Sequence, residues 1–85
     1  MYSKKYRIEK IEEFNHHNPI YDDVEGSIAY PAYFNVGERG WFLYDDDWFG
    51  NGQKIHTSVI DSVIYTDDTI VVLTQNTRFT FRLVD

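Results

Sequence analysis

The chain has no cysteine. That excludes disulfides, thiolate metal sites and cysteine nucleophiles. A secreted domain of 85 residues usually needs covalent staples, so their absence points to a reducing cytoplasm. Proline is scarce, with two residues, and no apolar run approaches the roughly 18–20 residues that span a bilayer. Met1 to Lys10 has the basic start of a signal peptide without an apolar stretch after it. The expectation is a cytoplasmic protein with no membrane partner. Positive charge is also in short supply: eight Lys and Arg stand against fourteen Asp and Glu, for a net of −6.

Aromatic residues are abundant, at 18%. Each ring buries roughly 150–250 Å², enough to give one short domain (residues 1–85) a core that aliphatic residues alone would struggle to fill. The negative charge is unevenly placed. Residues 1–10 carry Lys4, Lys5, Arg7 and Lys10 against Glu9. Residues 11–47 carry Glu12, Glu13, Asp22, Asp23, Glu25, Glu38, Asp45, Asp46 and Asp47 against Arg39 alone. Such a field repels nucleic acid and attracts a basic protein surface. It also serves plain solubility.

The clearest pattern is C-terminal. Thr57–Thr66 is rich in β-branched residues, Asp67-Asp68 is a turn signal, and Thr69–Thr74 follows. Gln75-Asn76 is a second turn, Asn being tolerant of the left-handed region. Thr77–Val84 then alternates Phe79, Phe81 and Leu83 with Arg78, Thr80 and Arg82. Two-residue loops place Val63, Val72 and Phe79 side by side, and likewise Tyr65, Ile70 and Phe81. Both rows are apolar on one face, and a one-residue slip would destroy the agreement. The other face carries Ile60, Ile64, Val71 and Leu73, which a cover such as a second subunit would hide.

Upstream, Gly40–Asp45 reads as a strand entered through a Gly37–Gly40 turn, with Trp41 and Leu43 on one face and Phe42 and Tyr44 on the other. Ser27–Phe34 alternates Ile28, Tyr30, Ala32 and Phe34, with Pro31 pointing away and marking an edge or a bend. Gly50-Asn51-Gly52 reads as a loop, and Asn15–Gly26 as a longer one. In residues 2–14, Ile8, Ile11 and Phe14 stand at the helical spacing of three. Yet the basic end comes first, the wrong way round for the helix dipole, which favours a first strand. The sum is an all-β domain: a small five- to six-stranded SH3-like barrel or rolled antiparallel sheet ending in a three-stranded meander, with an OB-like barrel as second choice.

No catalytic constellation stands out. Ser3, Ser27, Ser58 and Ser62 occupy no nucleophile elbow; Thr57 and Ser58, at a strand start, read as sheet hydrogen-bonding residues. His16 and His17 lie near Asp22, Asp23 and Glu25, but adjacent strand histidines point to opposite faces and do not share an ion. Counting Asp45 as position one of a calcium loop, Asp47 and Gly50 fit, while Phe49 and His56 fill ligand positions they cannot serve. Gly37-Glu38-Arg39-Gly40 matches the GXXG clamp of RNA-binding KH domains in letters only, and Arg39 is expected to pair with a carboxylate. The chain therefore reads as non-enzymatic, without cofactor or metal.

Trp41, Phe42, Tyr44, Trp48 and Phe49 place five aromatics in nine residues. Aromatics beside charge make protein-binding hot spots. Base stacking by Trp41, Phe42 and Trp48 is the competing use, and the neighbouring Asp45, Asp46 and Asp47 count against it. The runs Thr57-Ser58-Val59, Thr74-Gln75-Asn76-Thr77 and Val36–Phe42 resemble a pattern in small all-β proteins of Gram-positive bacteria and their phages. The resemblance spans roughly residues 26–81 and implies a cytoplasmic location and residence on a mobile element. The expected function is binding of a protein with a basic surface through Glu12, Glu13, Asp22, Asp23, Asp45, Asp46, Asp47, Trp48 and Phe49. One concrete form is a phage-borne, anti-CRISPR-like inhibitor that occludes a host nucleic-acid-binding protein electrostatically. The alternative is a self-associating module using Ile60, Ile64, Val71 and Leu73.

Overall fold

Six antiparallel strands close on one another in sequence order, with β1 pairing both β2 and β6. They are β1 (Lys5–Glu13), β2 (Ile28–Tyr33), β3 (Arg39–Asp46), β4 (Asn51–Tyr65), β5 (Thr69–Thr74) and β6 (Thr77–Val84); one short helix, α1 (Ile20–Val24), joins β1 to β2. The structure, a computed structural model, describes residues 4–15, 17–46 and 51–84. The small all-β barrel expected from the sequence is what forms. Its strictly sequential order is that of an up-and-down barrel and differs from the Greek-key order of an OB fold.

The meander has the expected register: Val63 opposes Val72, which opposes Phe79, and Tyr65 opposes Ile70, which opposes Phe81. Tyr65 lies at the rim and is exposed. The second turn works differently from expectation. No described non-glycine residue has a positive φ, so Asn76 is not left-handed. The Thr74 hydroxyl instead accepts the Asn76 and Thr77 N–H groups at 3.2 and 3.0 Å.

Four bulges bend the strands to closure. Glu9 is the extra residue in β1, Ala32 in β2 and Asp61 in the second half of β4, while Thr57 and Ser58 together oppose Gly40. Each bulge changes which face later residues occupy, and this revises several expectations. Ile8 and Ile11 both meet the core because Glu9 adds one residue between them. Their spacing of three, helical in appearance, belongs to a bulged strand. In β2 the buried residue is Ala29, and Phe34 joins the core beyond the Ala32 bulge. Pro31 sits next to that bulge in a strand with neighbours on both sides, so it marks a bend and not an edge. Ile60 turns inward at the Asp61 bulge and is buried. Asn51 and Gly52 belong to β4 and not to a loop, which leaves Thr57 and Ser58 mid-strand and not at a strand start. The Asn15–Gly26 segment contains α1, whose Val24 is fully buried.

The interior is filled by rings. Phe42 meets Phe81 and Phe79 edge-on at 5.2 and 5.8 Å between centroids, and Tyr21 of α1 caps Phe79 at 5.5 Å. Around them pack Ile8, Val24, Ala29, Ile60, Ile70 and Val72. Among the described residues, side chains fill the barrel interior as a packed core. The buried hydroxyl of Thr57 accepts the Gly40 N–H at 2.9 Å and donates to the Ser58 carbonyl at 2.7 Å, which holds the bulge. Gly40 has to be glycine: a Cβ there would lie 2.5 Å from the Tyr33 carbonyl oxygen.

Candidate protein-binding surface

The acids expected to form one surface fall into two groups. On the outer face of β1 and β6 the carboxylates have partners. Glu9 takes the Arg82 guanidinium at 2.5 Å, with Asp68 on the same arginine at 3.1 Å. Glu12 takes Arg78 at 2.5 Å and Lys10 at 3.2 Å. The hydrogen bond from arginine lowers the carboxyl pKa of both Glu9 and Glu12 and raises that of their partners. Glu13 is occupied as well: its Oε2 accepts the Asn18 N–H at 2.5 Å, and its Oε1 lies 2.9 Å from His17 Nδ1. His17 Nε2 lies 3.0 Å from Asp22 Oδ2. The Asp22 bond first, and then that to Glu13, raise the His17 pKa. The two carboxylates thus clamp one imidazole and tie the end of β1 to α1.

The second group stands on α1, on the segment after it, and at the end of β3. Tyr44 opposes Ala29, so the backbone of Asp45 and Asp46 continues alongside the entry to β2 and the Glu25-Gly26 segment that leaves α1. Asp23 is exposed on α1, and its side chain makes no hydrogen bond or ion pair among the described residues. Glu25 accepts the Ile11 N–H at 2.7 Å. Asp47, Trp48 and Phe49 of the expected site, with His16, lie outside the described residues.

The aromatic cluster divides by face. Phe42 is buried with no exposed surface, so it is not available for base stacking, and Tyr44 packs against the core. Trp41 and Leu43 face outward, half-buried. Lys54 Nζ lies 4.3 Å from the Trp41 ring centroid, a cation–π contact. Arg39 donates from Nε to the Thr57 carbonyl at 3.0 Å in place of the carboxylate expected for it. The apolar meander face loses Ile60 to the core. Ile64 is 57% exposed there, and Val71 and Leu73 are half-buried. No group of three or more histidines and carboxylates able to hold a metal occurs among the described residues.

No family model, curated protein or solved structure matches this chain.

Proposed function

We propose that this chain is a non-enzymatic protein-binding barrel that meets a basic partner surface with its acidic end. What supports the reading is the order of the chain at one end of the barrel: the exposed Asp23 on α1, with Glu25 after it, leads into β2, and β3, the neighbour of β2, ends in Asp45 and Asp46. The arginines that neutralise Glu9 and Glu12 stand on β6. Of the expected set, Glu12 and Glu13 hold the domain together, and the contact falls to Asp23, Asp45, Asp46 and the adjoining Asp47, Trp48 and Phe49. Opposite potentials steer such an encounter and make it salt-sensitive. Occlusion of a basic, phosphate-binding channel in a host nucleic-acid-binding protein, by an inhibitor carried on a phage or mobile element in the cytoplasm, is the form this takes.

The test compares capture from a nuclease-treated Gram-positive lysate by the native protein and by the Asp45→Lys/Asp47→Lys double variant. Basic nucleic-acid-binding proteins retained at low salt, released by high salt and absent from the variant are the expected result. Equal capture by a folded variant overturns the reading. The exposed Ile64, with Val71 opposite it and Leu73 on the same face, favours self-association as a second reading. Sedimentation that does not change with concentration removes it.

A further inference from the structure

β4 has two strand neighbours along only part of its length. Residues Ile60–Tyr65 pair with β5, whereas Asn51–Val59 pair with β3 alone. The β5–β6 turn stops at the level of Ser58, where the Asn76 amide donates to Ser58 Oγ at 3.2 Å. Among the described residues no strand continues along the other edge of Asn51–Ser58. That edge, about 26 Å long at roughly 3.3 Å per residue, offers alternate backbone N–H and C=O groups to an added strand.

The side chains along it are unlike the rest of this acidic surface. Lys54 and His56 are exposed on the outward face, with Trp41 opposite His56 and the exposed Arg39 beside Thr57. Lys54 lies over the Trp41 ring. Ile55 and Thr57, between them, turn to the core. Toward the hairpin tip the sign reverses, because Asn51 and Gly52 oppose Asp46 and Asp45.

We infer that the β4 edge at Asn51–Ser58 takes up an extended, acidic segment of a partner protein by strand addition. Its carboxylates would alternate along the outward face toward Lys54, His56 and Arg39, and small apolar residues would alternate inward. A second copy of this chain is the poorer occupant. Antiparallel pairing of β4 with itself about Ile55 brings the Lys54 of both copies onto one outward face, and like charges on neighbouring strands repel. Antiparallel addition, the commoner kind, sets the occupant's N-terminal half against the cationic Ser58–Lys54 stretch. Its acids belong there and not against the tip.

The inference uses a different surface from the acidic end, and its test is separate. An eight-residue peptide in which glutamate alternates with valine over the N-terminal half and threonine alternates with valine over the C-terminal half is titrated into the 15N-labelled protein, and the amides of Asn51–Ser58 are followed by NMR. Saturable shifts confined to that edge and to β3 opposite are expected. Methylating alternate peptide nitrogens, replacing glutamate by lysine, or introducing Lys54→Glu should each weaken binding at least tenfold. Four results overturn the inference: no shifts at this edge, binding indifferent to N-methylation, response to an eight-nucleotide single-stranded DNA but not to the peptide, or concentration-dependent shifts of the same amides without peptide. If Lys54→Glu does not fold, the N-methylated peptide decides alone.

Discussion

The β1–β6 face and the β3–β4 hairpin are both two-stranded antiparallel surfaces with charge on the outside, yet they use it differently. On β1–β6, arginine meets glutamate directly across the closing seam: Arg78 with Glu12, and Arg82 with Glu9 and Asp68. On β3–β4 the cations hold a ring and a carbonyl, Lys54 over Trp41 and Arg39 on Thr57. One face is electrostatically closed on itself. On the other, Lys54 and Arg39 pair with no carboxylate among the described residues, and β4 has an edge there that no described strand covers. The two binding proposals therefore fall on the hairpin and the adjoining acidic end, while the seam pairs across the closure of the barrel.

Several substitutions break or sharpen this contrast. The largest effect belongs to the core that both faces share. Phe79→Ala removes the ring that touches Phe42, Phe81 and Tyr21 and should cost about 3–5 kcal/mol by denaturant unfolding. Thr57→Val keeps the shape but deprives the Gly40 N–H of its buried acceptor. The expected loss is about 1–3 kcal/mol. It should be accompanied by faster hydrogen exchange in β3 than in β6, and equal acceleration would mean that the bulge is not what holds the hairpin.

Arg82→Gln removes the centre of the Glu9–Asp68 cluster. Because the cluster is exposed, the destabilisation should be small and should disappear at high salt. An undiminished effect in salt would show that the seam relies on packing and not on charge.

The pH dependence separates the same regions. Glu9 and Glu12 have lowered pKa values, so their contribution is present above the unfolded value near 4.5 and is lost as pH falls through the lower folded values. His17 has a raised pKa, so its contribution is complete below the unfolded value near 6.5 and is lost as pH rises through the folded value. NMR titration of the His17 ring should give a midpoint above that of a free histidine, and Asp22→Asn should lower it. An unshifted midpoint would mean that the clamp between β1 and α1 does not form in solution.

Much of the barrel was legible in local pattern. Alternation and β-branched content place β5 and β6, and the two short turns specify the register of Val63, Val72 and Phe79. The misreadings of which face a residue occupies share one physical origin. A bulge adds a residue without changing composition, so a period-two reading loses phase after it. Ile60 then looks solvent-facing and Ala29 is passed over for Ile28, while Ile8 and Ile11 keep a helix-like spacing inside a segment whose charge order favours the strand that forms. The candidate site was legible as an acidic composition but not as a surface, because pairing across the seam joins residues 66 and 73 positions apart.

By itself, then, the sequence determined a cysteine-free, aromatic-cored β fold with excess negative charge, because local periodicity and composition are properties of neighbouring residues. Only the tertiary structure decided which carboxylates are neutralised, which aromatics are buried and which length of β4 stays open. Each of those depends on which strand ends up beside which, and closure of β1 onto β6 brings together opposite ends of the chain.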